Sequence, residues 1–289
     1  MPELPEVEVV KRSLRRKILN SIIKKVEIID GRLRFNVNKH QIIKLLGKKI
    51  TKIERRSKFL IFKIGNNFHM LVHLGMTGKF FFIDKEARKF KTSFYYNIKG
   101  DKEQKHDRVV FYLQGNQKLI YNDVRKFGFI KFFKINNYKL INHLRNLGPE
   151  PLERNCNFKY LKNYISGRNR SIKDILMDQR CISGLGNIYV NEVLFLSKIR
   201  PLRKVQTLKD REIEEIILNI KKILKASIKL GGSSIKDFSS DNGKKGSFQQ
   251  RFNVYGKEGE KCSNIDCSMS IIRTIISNRS SFYCSKCQK

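Results

Sequence analysis

The amino-acid sequence predicts an α+β chain: one leading helix, a β-rich N-terminal half folded as a sandwich or barrel, a helical second half and a cysteine-bearing tail. Three patterns carry that expectation. Val7, Val10, Leu14 and Ile18 recur at three- and four-residue steps over residues 5–19, which gives a helix with one buried stripe. Short β-rich runs then succeed one another between residues 22 and 133, at 25–29, 50–55, 59–64, 69–73, 79–83, 108–113, 118–121 and 129–133. The string Leu147-Gly148-Pro149-Glu150-Pro151-Leu152 breaks both periods and marks a domain boundary. Beyond it, helical spacing returns at 158–165, 172–178, 190–196 and 211–230, the last with Ile213, Ile216, Ile217, Ile220, Ile223 and Leu224 on one face.

Composition bounds the function. The 289 residues are 40% hydrophobic, enough for a packed core and two domains, which excludes a disordered polycation. Sixty-one Lys and Arg against 26 Asp and Glu leave a formal charge of +35, so a polyanion, and nucleic acid first, is the expected partner. A general Lys, Ile and Asn bias contributes to that charge and places no chemistry. No run of about 18 apolar residues exists to span a bilayer, and the start lacks a basic region followed by an apolar one. The expectation is a soluble cytoplasmic protein with no membrane partner. Four of the six cysteines, Cys262, Cys267, Cys284 and Cys287, crowd the tail, whereas Cys156 and Cys181 stand apart as buried thiols.

The first residues, Met1-Pro2-Glu3-Leu4-Pro5-Glu6-Val7-Glu8, suit a nucleophile. Removal of Met1 leaves the secondary amine of Pro2 beside the carboxylates of Glu3 and Glu6. An α-amino group titrates near ~8 against ~10.4 for lysine, so less perturbation exposes its lone pair. The same residues also read as a helix start, with Pro5 early and Glu6 and Glu8 at the positive end of the dipole.

Other segments look chemical. Arg55-Arg56-Ser57-Lys58-Phe59 puts Lys58 on a hairpin turn, within reach of a phosphate or sugar, although an ordinary basic turn reads the same way. His73-Leu74-Gly75-Met76-Thr77-Gly78 ends a strand in a glycine-flanked loop with an adaptable Met76 at its tip. In Asn122-Asp123-Val124-Arg125-Lys126-Phe127-Gly128, Arg125 and Phe127 fall on one side of an extended segment, an arginine able to read base edges beside an aromatic able to wedge between bases. Ile182-Ser183-Gly184-Leu185-Gly186-Asn187-Ile188-Tyr189 is a turn entering a helix, where backbone amides and Asn187 can hold a phosphate. Gly231-Gly232-Ser233-Ser234 reads as a hinge, followed by a mobile polar loop at 241–246. In the tail, Cys262-x4-Cys267 and Cys284-x2-Cys287 offer four thiolates to one tetrahedral Zn²⁺, a structural rather than catalytic ion, with Arg279 on a hairpin between the pairs.

Taken together, these strings resemble the bacterial formamidopyrimidine-DNA glycosylase family over nearly the whole chain and in the family's order. Leu4, where the related endonuclease VIII branch commonly has Gly, points to the purine-directed branch. The resemblance implies a monomeric repair enzyme, a glycosylase and abasic-site lyase, whose partner is double-stranded DNA containing oxidised purines such as 8-oxoguanine and formamidopyrimidines. It implies an N-terminal β-sandwich (1–134), a linker (135–150), a helix-two-turn-helix domain with a mobile lesion loop (151–247) and a zinc-finger hairpin (248–289), with DNA in the cleft between the halves. By position it makes Pro2 the attacking amine, Glu3 the proton donor in sugar-ring opening, Glu6 a support of the same pocket, Lys58 the lysine of β-elimination and Arg279 the arginine of δ-elimination. It makes His73, His106, Arg168 and Asn187 DNA contacts, with Lys173 near the lesion. Met76, Arg125 and Phe127 match the trio that fills the vacated stack, Arg125 pairing with the orphaned cytosine. Three departures stand out: Val124 and Lys126 replace a Pro and an Arg, the first cysteine pair is wider by two residues, and the match around Arg168-Asn169-Arg170 is loose.

Overall fold

The computed structural model describes residues 1–91, 101–233 and 248–289, so the expected loop at 241–246 lies outside the described residues. The chain divides into two compact units, one formed by residues 1–145 with 228–249 and the other by 146–227 with 250–289.

In the first unit, α1 (Leu4–Ile18) starts at a capping box between Glu3 and Glu6, with Pro5 in the first turn where its missing N–H costs nothing. The stripe Leu4, Val7, Val10, Leu14 and Ile18 is essentially fully buried, as its spacing dictates. Two antiparallel sheets face each other across one core. The first comprises β1 (Ile23–Ile28), β5 (Lys79–Ile83), β6 (Lys89–Lys91), β7 (Asp107–Leu113) and β8 (Gln117–Asn122), in the order β1-β7-β8-β5-β6. The second comprises β2 (Ile50–Arg56), β3 (Phe59–Ile64), β4 (Phe68–His73) and β9 (Phe129–Lys134), in that order. Ile53, Leu60, Phe62 and Met70 from one sheet and Phe80, Val109, Phe111 and Tyr121 from the other join the α1 stripe in a single apolar cluster, so the sandwich is the architecture adopted. Alternation along each strand sends these side chains inward.

The chain crosses between the sheets at one end of the sandwich by two neighbouring connections. Residues 74–78 lead from β4 to β5, and residues 123–128 lead back from β8 to β9. Register brings both to the same place, since His73 pairs with Phe129 and Lys79 with Asn122. The β2–β3 turn carrying Lys58 opens at that end too, because Phe59 pairs with His73. Three short elements had no clear pattern in the sequence: β6, α2 (Lys39–Ile43) and α3 (Asn142–Arg145) are too brief to show a period.

The second unit holds α4 (Phe158–Ile165), α5 (Ile172–Met177), α6 (Asn187–Leu196) and most of α7 (Asp210–Lys229), with the hairpin β10 (Ile272–Ile276) and β11 (Arg279–Tyr283). Asn157 caps α4 by accepting from Tyr160 N, and Ser171 caps α5 by accepting from Asp174 N. Helix α6 begins at Asn187, three residues before the start its apolar spacing indicated, because Gly186 serves as the cap. Glu192, 2% exposed, joins α6 to the chain ahead of the hairpin: its carboxylate accepts from the backbone N–H groups of Asn253, Val254 and Tyr255 and from the Asn253 amide. Cys156 and Cys181 are fully buried, as expected of structural thiols. No helix among the described residues is long and apolar enough to cross a membrane.

Candidate active site

The start of the chain is held rigidly. Glu6, fully buried, accepts from the backbone N–H of Glu3 through Oε2 at 3.0 Å. Its Oε1 accepts from Ser233 N at 2.8 Å and Ser233 Oγ at 2.9 Å. Glu3 is 3% exposed and Pro2 is also buried. The terminal amine ahead of them lies close enough to Glu3, Lys58, Glu6 and Arg125 to feel their charges, and burial foremost holds its pKa below the usual value of 8. Next along α1, Glu8 gathers Lys11, Arg12 and Arg55. Burial pushes its carboxyl up, but those cations outweigh burial and leave it below the ordinary carboxylate range.

A cavity of about 620 Å³ opens beside this terminus, lined by Met1, Arg32, Leu33, Arg34, His73, Gly75, Met76, Arg125, Lys126 and Phe127. Met76, Arg125 and Phe127 come from the two sheet crossovers and meet at its rim. The Arg125 guanidinium lies 4.5 Å from the centre of the Phe127 ring, and its Nη1 is 3.2 Å from Met76 Sδ. Phe127 is 47% exposed, an apolar ring presented outward. The segment that carries Arg125 and Phe127 is not extended as expected. It bends at residues 124–125 and turns through φ +57° at Lys126, and this turn brings arginine and ring face to face.

His73 borders the cavity, stacked on Phe129 at 5.7 Å with the rings 17° from parallel. Its Nδ1 accepts from Gly75 N–H at 3.1 Å, so the neutral ring carries its proton on Nε2. Burial first, then the Lys58 and Arg34 cations, pushes its pKa down to about 4. Lys58, 6% exposed, sits on the turn between β2 and β3, where Ser57 takes φ +55°. The cluster combines an amine of lowered basicity, two buried carboxylates, a lysine, a neutral imidazole and an apolar-cationic probe. That set can attack carbon, protonate a leaving oxygen and stack on a base.

Comparison with known proteins identifies the family. The Formamidopyrimidine-DNA glycosylase N-terminal domain model covers residues 1–130 and the Formamidopyrimidine-DNA glycosylase H2TH domain model covers residues 147–239. The chain belongs to the formamidopyrimidine-DNA glycosylase family. The formamidopyrimidine-DNA glycosylases of Rickettsia canadensis and Rickettsia massiliae are each 40% identical to it over 288 residues, covering 100% of this chain and 99% and 97% of theirs. The wild-type Lactococcus lactis Fpg in complex with a N7-benzyl-Fapy-dG containing DNA is 35% identical with TM-score 0.84, covering all of both chains. The same enzyme in complex with an abasic site containing DNA is 34% identical with TM-score 0.83, covering 99% of each.

The glycosylase fold leaves the remaining expected residues at identifiable places. His106, on the helical turn before β7, is half-buried, with Arg108 Nη2 3.4 Å from its Nδ1; burial and then Arg108 lower its pKa. Arg168 is exposed after α4, its guanidinium 4.4 Å from the Tyr164 ring centre. In the second unit, Asn187 Nδ2 donates to Ser280 O at 2.8 Å. Lys173 is 1% exposed and donates to Ser281 Oγ and to Ser280 O, so it supports the hairpin from within. Burial and then the nearby Arg279 push its pKa down to about 8. Arg279 itself is exposed at the start of β11.

The four tail cysteines converge, their sulfurs all within 4.8 Å of one another, with Cys262–Cys287 at 3.8 Å and Cys267–Cys284 at 3.6 Å. A tetrahedral ion with metal–sulfur bonds of ~2.3 Å needs sulfurs roughly 3.8 Å apart, so the cluster can hold a metal despite its wider first pair. Arg32 and Arg34 on the cavity wall escaped the sequence reading, since they lie in a turn without periodicity. The one local hint was two arginines alternating with an apolar residue just after Gly31.

The imidazole makes a direct test. With its folded pKa below the ordinary value of ~6.5, His73 contributes stability that is complete above that value and lost as pH falls toward about 4. NMR titration of the ring should give a midpoint near 4, and Lys58→Gln should raise it. A midpoint at 6 or above would contradict the buried, neutral His73.

Proposed function

We propose that this glycosylase excises oxidised purines from duplex DNA and then nicks the strand, with the amine of Pro2, exposed by removal of Met1, as its nucleophile. One observation carries the reading: the chain start borders the same cavity as Met76, Arg125 and Phe127, among Glu3, Lys58 and Glu6. Pro2 is itself buried, and burial disfavours the charged form of an amine, which favours a neutral, attacking nitrogen.

In this reading the Pro2 nitrogen bonds to C1′ of the extruded nucleotide. The glycosidic bond breaks, its electron pair leaves with the base, and the base takes up the proton that the Pro2 nitrogen loses on bonding to C1′. Glu3 protonates O4′ as the sugar ring opens and a cationic iminium forms between C1′ and Pro2. Loss of a C2′ proton then expels the 3′ phosphate, the step assigned to Lys58, and loss of a C4′ proton expels the 5′ phosphate, the step assigned to Arg279. Glu6 holds the pocket, since its oxygens already receive the Glu3 and Ser233 donors. Extruding the nucleotide costs a few kcal/mol, offset by Met76 and Phe127 filling the gap and Arg125 pairing with the orphaned cytosine. His73, through its Nε2–H, and His106, Arg168 and Asn187 are assigned to the DNA contact surface, with Lys173 near the lesion beneath the hairpin it supports. One Zn²⁺ on Cys262, Cys267, Cys284 and Cys287 would be structural, with no open position for substrate, and would brace the hairpin that bears Arg279.

Nicking of duplexes carrying 8-oxoguanine, thymine glycol or a bare abasic site should rank 8-oxoguanine well above thymine glycol. Glu3→Gln should slow base release by about 10²–10⁴-fold, the usual contribution of a positioned proton donor. Equal cutting of both lesions, or an indifferent Glu3→Gln, would reject the assignment. Chelation of the metal should lower the thermal midpoint and release the four thiols to a colorimetric reagent together. Thiols fully reactive before chelation would exclude the bound ion.

A further inference from the structure

Behind the Met76–Arg125–Phe127 rim lies a buried polar group that no step above uses. We propose that Asp123, acting through Thr77, is a positioning device that locks the two sheet crossovers into one part and so sets the wedge before DNA arrives. The proposal rests on the reading of Met76, Arg125 and Phe127 as the residues that replace an extruded nucleotide.

Asp123 is fully buried and Thr77 is 7% exposed. Asp123 Oδ1 accepts from Thr77 Oγ at 2.5 Å, and Thr77 Oγ in turn accepts from Arg125 N at 3.0 Å. A hydroxyl has one proton, so donation to the carboxylate leaves its lone pairs for the Arg125 amide and fixes the direction of the relay. The other carboxylate oxygen, Oδ2, accepts from Gly128 N at 2.8 Å. One carboxylate therefore holds the 125–128 segment at both ends, on either side of Phe127, and ties it to the residue that follows Met76. The Asp123 carbonyl accepts from Arg108 Nε at 2.9 Å. Arg108 and Lys126 both reach Asp30, at 3.0 and 2.8 Å.

The crossovers touch backbone to backbone where this carboxylate joins them. A Cβ on Gly75 would fall 2.4 Å from Gly128 N, and one on Gly128 would fall 1.9 Å from Tyr121 Oη and 2.7 Å from His73 O. Met76 and Arg125 thus meet because their backbones are joined first. A wedge ordered in advance does not have to be ordered at the moment of extrusion. Reading of the opposite base by Arg125 needs that order more than the bond-breaking steps at the terminus do.

Thr77→Val keeps the shape and removes the relay, and Thr77→Ser keeps the hydroxyl. The readout is the ratio of single-turnover base release opposite cytosine to that opposite adenine in 8-oxoguanine duplexes, which is insensitive to the fraction of folded protein. Thr77→Val should lower the ratio about tenfold, as expected when a buried donor loses its acceptor, while Thr77→Ser should stay within about twofold of the parent. Thr77→Ala, which removes the same hydroxyl, gives a second reading if the valine variant does not fold. An unchanged ratio in the hydroxyl-less variants, or an equal loss in Thr77→Ser, overturns the proposal. A parent enzyme that releases no 8-oxoguanine fails the functional reading instead.

Discussion

The structure depends on how its first turn of helix is closed. Glu6 could not be fully buried as a bare carboxylate, since an unpaired charge in an apolar interior is strongly destabilising. It is tolerated because its oxygens receive N–H of Glu3 and both N–H and O–H of Ser233. Those bonds fix the residues before α1, while the apolar stripe of the helix anchors it in the sandwich core. A chain terminus is ordinarily the most mobile part of a domain. Here it is held against a cavity wall beside Glu3 and Lys58, and a nucleophile at that position inherits the rigidity of the helix.

The wedge at the cavity rim is likewise fixed by backbone. Two crossovers between the sheets run side by side, close enough that glycine is required at 75 and 128, and their side chains form one surface. Lys126, in the position where the family often has Arg, takes positive φ and places its amine on Asp30, which Arg32 foremost and then Lys126 hold well below the ordinary carboxylate range. The absence of a proline at Val124 therefore does not leave the loop loose, because side-chain bonds from Asp123 supply the restraint.

Much of this was legible in the sequence, for physical reasons. The α1 stripe announced itself because the helix buries one apolar stripe, and strands such as Phe59–Ile64 and Lys79–Ile83 because they are short apolar runs buried on both faces. Four cysteines in two closely spaced pairs read directly as a metal cluster. What was not legible depends on contacts distant in sequence: Glu6 with Ser233, Asp123 with Thr77, and Arg34 on the cavity wall. The bend between Arg125 and Phe127 was missed because a non-glycine residue, Lys126, adopts a conformation that sequence pattern does not signal. Lys173 shows the same limit: the resemblance put it near the lesion, and nothing in the sequence signalled that the fold buries it beneath the hairpin.

The chemistry proposed for this site turns on a covalent bond between the amine at the head of α1 and the sugar. The most direct measurement is borohydride reduction during turnover of an 8-oxoguanine duplex by Met1-processed enzyme, followed by protease digestion and mass spectrometry of the cross-linked peptide. A single adduct is expected on the peptide beginning with Pro2, with its imino nitrogen modified. An adduct on Lys58 or any other lysine, or none from a correctly processed chain that still releases the base, would contradict it.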